Sequence, residues 1–517
     1  MDSNLSVVSN SNIKRIILVF KSFLVGILAS LVVVAFRFTL IYAEKFSIYI
    51  YSFQSSNKWF IPLWFAALAI IGFLVGKLTK REPFISGSGI PQVKAVMGGY
   101  LNNRPLSIII NKFIGGALSI LGGLSLGREG PSVQLGACCG DIVSNKTKSS
   151  SLERKLLISS GASAGLSAAF NAPLAGVMFS LEEIYKYFSP LVILSTITAS
   201  ITADFISKEF FGLSPIFNFK EVAVMPLNHY FVLIILGLIL GVLGVIYNWT
   251  LLNSQKLYKK IKLPAEYKVI IAFIFAGVIG LIFPQLICGG SLVLNELTLS
   301  NAISFLILLA AGKFLFSMVS FGSGAPGGIF FPLLIIGGGI GAIIGAVSIK
   351  YLGMPAEFFS SFIILSMVGY FTAIVRAPIT GVILISEMSG SFSHFLPLSI
   401  VAIISYIIAD CFKCAPIYDS LMDNLLAGNK NTTSNNLGND KTIITAIVHH
   451  GSKLDKISID SIKLPENTLI VSLERGASSI IPKGNTIIKA GDEVSIMTDQ
   501  KEEAKIRELL NYLSSIE

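Results

Sequence analysis

The sequence predicts an all-α polytopic membrane protein that carries a small α/β domain at its C-terminal end. Three observations predict it. Of 517 residues 53% are hydrophobic and only 14% charged, where a soluble chain carries about a quarter charged residues. Apolar stretches such as "FIPLWFAALAIIGFLVG", "YFVLIILGLILGVLGVIY" and "VIIAFIFAGVIGLIF" recur, each near the roughly 17–25 residues that cross a bilayer. The composition then changes near residue 427, after which the sequence reads as ordinary soluble protein.

The first apolar run, from about Ile16 to Ala43, is too long for a cleavable signal peptide and lacks a small-residue cleavage site. The net charge of +10 comes largely from short connecting segments, Lys77–Arg81, Asn145–Lys155 and Lys256–Lys262. Clusters of that kind mark the cytoplasmic side of a membrane protein. They form no basic stripe of the sort that nucleic acid requires. Cys138, Cys139, Cys288, Cys411 and Cys414 lie in or beside apolar segments and are expected as buried, reduced thiols. The Cys411–Cys414 pair has no second pair to complete a metal site. His229, His394, His449 and His450 form no ligand cluster with them, so no metal and no cofactor is expected.

The segment Ala427–Asp440, "AGNKNTTSNNLGND", is polar and aperiodic and reads as a linker. Beyond it "NTLIVSLER", "SSIIPKG" and "EVSIMTD" read as short strands. "KEEAKIRELLNYLSS" reads as a helix with Ala504, Ile506, Leu509, Leu510 and Leu513 toward one face. The expected organisation is a membrane domain over 1–426, a linker over 427–440 and a small domain over 441–517.

The membrane region repeats itself. "NAPLAGVMFSLEE" (Asn171–Glu183) resembles "RAPITGVILISEM" (Arg376–Met388) at an offset of 205. "KFIGGALSILGGLSLGREGP" (Lys112–Pro131) lines up with "KFLFSMVSFGSGAPGGIFFP" (Lys313–Pro332) at an offset of 201. An internal duplication into halves of about 15–210 and 228–426 follows, and transporters built this way hold substrate on broken helices at the repeat interface. The breaks "SGSGIP" (Ser86–Pro91), "GREGP" (Gly127–Pro131) and "GAPGGIFFP" (Gly324–Pro332) each combine glycines with a proline. Glycine lets the backbone turn and proline suits the first turn of a new helix. The free N–H groups and partial positive charge of a helix N-terminus favour anions. Several such ends aimed at one point bind an anion without a full positive charge, which permits release as well as entry.

Glu129 then has a rationale. An ionisable group at that depth costs at least about 2.5 kcal/mol and is functional by default. Its carboxylate is itself an anion at an anion-favouring helix end. Burial favours its neutral form and the helix-end amides favour its charged form, so it can serve as both gate and proton carrier. A structural pair with Arg128 is the plainer alternative, but sequence neighbours pair poorly on a helix.

"GSGIP", "GREGP" and "GGIFFP", with Tyr418 in "APIYDSL", resemble the CLC chloride channels and chloride/proton antiporters. The resemblance covers about residues 15–426 with all four motifs in order. It implies two inverted halves of tilted, partly spanning helices, and a homodimer whose subunits each have an anion pathway. Residue by residue, it implies that the hydroxyls of Ser88 and Tyr418 and the backbone N–H groups of Ile329 and Phe330 bind the central chloride. It implies that Glu129 is the external gate and proton carrier, flanked by the backbone of Arg128 and Gly130 at the external anion site. Serine at position 88 accompanies chloride preference in this family. Glu183, the second acid of "FSLEEIYKYF", matches the internal proton glutamate of the antiporters, which favours chloride/proton exchange over the alternative, a passive channel. Glu182, whose counterpart in the repeat is Glu387, is expected to be structural. Gln92 and Lys94 stand where the family often has acids after "GSGIP".

The tail, Leu464–Asp499, resembles the TrkA-C or RCK-C module of potassium-transport regulators rather than paired CBS domains. That likeness implies a cytoplasmic regulatory domain that takes a small ligand such as a cyclic dinucleotide, with pure dimer support as the alternative. A cation transporter would want a carbonyl filter or an acidic ring, and neither is present. "GLSLG" (Gly123–Gly127) matches the nucleophile elbow of hydrolases, but Ser125 is expected within a membrane helix and has no histidine partner, so the chain is not read as an enzyme.

Overall fold

The computed structural model describes residues 2–186, 188–217, 222–428, 441–462, 464–465, 467–475, 478–499 and 502–514. The expected linker lies outside the described residues from 429 to 440. Backbone contacts divide the chain into two compact units. One comprises Met1–Val93, Arg104–Lys148 and Leu156–Asn424, and the other Lys94–Asn103, Ser149–Lys155 and Leu425–Glu517.

The helices of the first half are α1 (Asp2–Ser56), α2 (Ile61–Arg81), α3 (Ile90–Met97), α4 (Pro105–Leu121), α5 (Glu129–Lys146), α6 (Ser151–Phe170), α7 (Pro173–Phe179) and α8 (Pro190–Phe211). The second half repeats their order of long and short. It runs α9 (Tyr230–Lys260), α10 (Ala265–Ile282), α11 (Ser291–Glu296), α12 (Ile303–Gly322), α13 (Phe330–Leu352), α14 (Phe359–Val375), α15 (Pro378–Ser389) and α16 (Phe395–Cys411), with α17 (Ile417–Gly428) after it. Among the described residues 8 helices are long and apolar enough to cross a membrane, and α4, α15 and α16 are apolar but shorter.

Burial runs as a lipid-facing protein requires. On α9 Phe231, Ile234, Ile235, Leu238, Val242 and Trp249 are exposed, while Leu233, Leu236, Leu240 and Tyr247 are buried. The apolar outer face has no aqueous explanation but suits acyl chains. The interior is packed through small residues. A Cβ on Gly136 of α5 would lie 2.1 Å from the carbonyl oxygen of Gly161 on α6, and one on Gly161 equally close to that of Gly136. Only glycine at both positions lets these two helices touch backbone to backbone.

The duplication is visible atom by atom. Gly127 and Gly328, 201 apart, exchange both backbone hydrogen bonds at 2.7 Å as an antiparallel bridge. Buried Lys112 donates to the carbonyls of Ile85 and Gly87 at 2.8 and 2.7 Å. Lys313 donates to those of Leu286 and Cys288 at 2.8 and 2.7 Å. The Glu182 carboxylate accepts from the N–H groups of Ile379 and Thr380 at the start of α15. Glu387 accepts from those of Leu174 and Ala175 at the start of α7. Each acid thus caps the helix of the opposite half, which satisfies N–H groups that a helix leaves free.

The cysteines depart from expectation in part. Cys138, Cys139 and Cys288 are buried and free, but Cys411 is exposed and Cys414 half-buried. Cys411 ends α16 beside exposed Phe412, where the apolar helix leaves the packed interior.

In the second unit four antiparallel strands stand in the order β1–β4–β2–β3, with β1 Lys441–Ile447, β2 Leu469–Arg475, β3 Ser478–Ile480 and β4 Glu493–Asp499. Helix α18 (Glu503–Ser514) packs Ile506 and Leu510 into a core with Ile444, Ile470, Leu473, Val494 and Ile496. Leu513 adjoins that core and Leu509 is half-buried. The expected strands are present, and β1 adds one that the sequence reading missed. Its ladder with β4 runs from Lys441↔Asp499 to Ile447↔Glu493. In the same unit Glu503, 1% exposed, pairs with Lys155 and Arg507.

Candidate functional site

The three glycine–proline breaks are laced together by backbone hydrogen bonds. Gly327 N–H donates to Gly87 O at 3.0 Å, and Ser86 Oγ donates to Gly324 O at 2.9 Å. The bridge between Gly127 and Gly328 joins the third break to these two. Gly87, Gly89 and Gly324 turn at φ of +63, +98 and +80, conformations that side chains disfavour. From the three breaks α3, α5 and α13 begin, each with its proline in the first turn, and α17 begins one residue before Tyr418.

Ser88 lies against α5. A Cβ on Gly130 would fall 2.3 Å from Ser88 Oγ, so glycine at 130 is what admits that hydroxyl to the helix start. Gln92 donates through Nε2 to Ser86 O at 2.7 Å and so steadies the same loop. Ser88 is 2% exposed and Tyr418 fully buried. Among the described residues neither hydroxyl has a hydrogen-bond partner. Buried hydroxyls are rarely left so without a ligand or water to meet them. Ile329 occupies the N-cap of α13 and Phe330 its first position, both buried. The Phe330 ring packs on Phe170, Phe179 and Phe371, with centroids at 5.5, 6.3 and 4.9 Å, and Phe179 in turn meets Tyr418 at 6.5 Å.

Glu129 opens α5 and is 1% exposed. Its carboxylate folds back over Gly127, where a Cβ would sit 2.2 Å from Oε2, and accepts from Phe331 N–H at 3.3 Å. The acid therefore reaches from the start of its own helix to the start of α13. Among the described residues it makes no ion pair with Arg128, the N-cap of α5, whose carbonyl accepts from Ser132. The N–H of Phe331 escaped the sequence reading, since only the closed fold shows that the acid of one half leans on the helix end of the other. Gly127, which makes room for it, was the available signal.

Glu183 is 2% exposed and lies in a π-helical turn, Ser180–Tyr185, that interrupts the helix after α7. Such turns are rare and gather at functional sites. Ser125 corrects an expectation. It lies outside any helix, in the break between α4 and α5, because Gly123 turns the chain at φ +82. Its Oγ is 2.8 Å from Ser317 Oγ and its N–H donates to Ser320 Oγ.

Comparison with known proteins agrees with this architecture. Residues 67–410 match the family model described as voltage gated chloride channel, and residues 443–511 match the TrkA-C domain. The chain is 35% identical over 383 residues to the H(+)/Cl(-) exchange transporter ClcA of Vibrio campbellii, covering 72% of this chain and 82% of that one. It is 31% identical to the same-named transporter of Klebsiella pneumoniae, covering 79% and 89%. The crystal structure of a slow cyanobacterial Cl-/H+ antiporter superposes with a TM-score of 0.76 at 27% identity, covering 80% of this chain and 99% of that one. With its motifs in order, its halves joined at Gly127 and Gly328, and its relatives matched over most of their length, this chain belongs to the voltage gated chloride channel, or CLC, family.

Proposed function

We propose that the chain exchanges chloride for protons across the membrane. The observation that carries this reading is the Glu129 carboxylate, buried and held by Phe331 N–H at the start of α13, in the same set of laced breaks as the unpartnered Ser88 hydroxyl.

The mechanism follows from charge. Helix ends offer N–H groups and partial positive charge but no full cation, so chloride is stabilised without being trapped. The Ser88 and Tyr418 hydroxyls donate to the central chloride, joined by the N–H groups of Ile329 and Phe330. Ionised Glu129 competes with chloride for the outer site, beside the backbone of Arg128 and Gly130. Protonation removes its charge, and with it the attraction to the helix end. The side chain then leaves, chloride enters, and the proton travels with the carboxyl. Glu183 passes protons between this carboxyl and the inner solution. The basic segments, of the kind that gathers on the cytoplasmic side, support a cytoplasmic C-terminal domain, and the protein acts as a multi-pass homodimer in the plasma membrane. Residues 1–426 then form the transport domain and 441–517 a regulatory domain for a small ligand.

Proton movement in chloride-loaded liposomes with clamped membrane potential tests the reading. Uphill proton movement under a chloride gradient, abolished in Glu129→Ala and sharply reduced in Glu183→Gln, is the expected result. Chloride flux with no proton movement would make the protein a passive channel with Glu129 as a gate alone.

A further inference from the structure

The two halves differ where Glu183 lies. In the second half α15 runs unbroken from Pro378 to Ser389. In the first half the equivalent stretch is α only from Pro173 to Phe179 and becomes a π-turn over Ser180–Tyr185. It ends on Lys186, which takes the left-handed conformation at φ 55. Left-handed residues commonly close helices, and Lys148 and Lys413 do so just past α5 and α16, so what sets Lys186 apart is the partner it meets.

Both ends of this distorted segment are attached to α17. At its start the Phe179 ring meets the Tyr418 ring edge-on at 6.5 Å. At its end Lys186 Nζ pairs with Asp419 Oδ2 at 2.7 Å. Tyr418 and Asp419 are consecutive residues in the first turn of α17. The repeat counterpart of Lys186 is Ser391, which carries no charge, so the tie belongs to one half alone.

We propose that Lys186 and Asp419 form a positioning clasp, which makes the turn bearing Glu183 and the helix bearing Tyr418 move as one body. This rests on the antiport reading above. An isolated ion pair at partial exposure adds little stability. Its part here is geometric: with the aromatic contact it fixes two points of the turn against one helix turn. A shift of the Tyr418 hydroxyl as chloride passes is then felt at Glu183, and a change at Glu183 is felt at the chloride site. Without the clasp the two sites act independently, and chloride slips through without its proton.

The test is the coupling ratio of the full chain in liposomes, taken from the reversal potential under opposed chloride and proton gradients. Lys186→Met and Asp419→Asn are each expected to lower the protons moved per chloride at least twofold, while chloride binding to the purified protein, titrated calorimetrically, shows that the site is still formed. Lys186→Arg, which keeps the charge, and the exchange Lys186→Asp with Asp419→Lys are expected to restore most of the ratio. Single variants that keep the wild-type ratio overturn the proposal. So do singles that lose it when neither the arginine variant nor the exchange restores it, for then the residues matter other than as a pair. A wild-type protein that moves no protons overturns the antiport reading itself, and is recognised before any variant is made.

Discussion

The two halves of the membrane unit share a scaffold and differ in chemistry, and position-by-position comparison separates the two. Shared between them are Lys112 and Lys313, each on two carbonyls, Gly127 and Gly328, paired with each other, and Glu182 and Glu387, each capping the other half's helix. At the offset of 201 Glu129 faces Phe330, and at the offset of 205 Glu183 faces Met388. An acid present in both halves serves the fold. An acid present in one half, buried, and opposite an apolar residue is a candidate for transport. Phe330 shows the other side of the contrast, since its ring is held among Phe170, Phe179 and Phe371 while the Glu129 carboxylate rests on the N–H of Phe331.

The largest expected effect breaks this asymmetry. Glu129→Gln keeps the shape and removes the titration, so proton movement should fall to the leak of protein-free liposomes while chloride still crosses. Phe330→Leu, at the equivalent position, should retain proton coupling and lower thermal stability, read by unfolding of the detergent-purified protein. Proton movement that survives Glu129→Gln would refute the idea that unshared acids carry it.

Much of this contrast was legible in the sequence. The Lys-Phe openings, the glycine breaks and the prolines 19 residues after each lysine mark the duplication, because a helix that breaks and restarts needs those residue types locally. Glu129 stands out because a charge in an apolar run needs a reason, while Ser88 and Glu183 are marked by the family resemblance of their motifs. What escaped depends on closure between segments far apart in the chain. Phe331 offers its N–H to Glu129 across 202 residues, and Ser125 leaves helix to meet Ser317 across 192. The π-turn at Glu183 has no local signature, since "MFSLEE" reads as continuous helix by its periodicity. Strand β1 opens the small domain directly after the polar segment and was not read as a strand, and its pairing with β4 is what makes it one.

A smaller effect sharpens the scaffold side. Lys112→Met leaves Ile85 O without its donor while Gly87 O keeps that of Gly327, and Lys313→Met takes the lysine from both Leu286 O and Cys288 O, at about 1–3 kcal/mol for each group left without a donor. Both variants should lose thermal stability, Lys313→Met the more. Only Lys112→Met should also weaken chloride binding, because Gly87, whose carbonyl it holds, immediately precedes Ser88. Equal loss of affinity in both would mean that the lysines support the site through the fold as a whole.

The smallest effect comes from the acids that sit side by side. Glu182→Gln and Glu387→Gln each weaken one cap while keeping its shape, with an expected loss of about 0.5–2 kcal/mol. The loss should be larger at Glu182, whose carboxylate also accepts from Thr380 Oγ1 at 2.8 Å, where Ala175 has no hydroxyl to offer Glu387. The double variant should lose close to the sum if the caps act independently, and visibly more if α7 and α15, which pack on each other, depend on both. Glu183→Gln should do the reverse, with thermal stability near wild type and proton movement sharply reduced. Glu182 and Glu183 are neighbours in sequence and nearly identical in chemistry, so local effects of the substitution cancel between them. What remains is whether the residue is repeated in the other half, and that repetition is what separates an acid of the scaffold from an acid of transport.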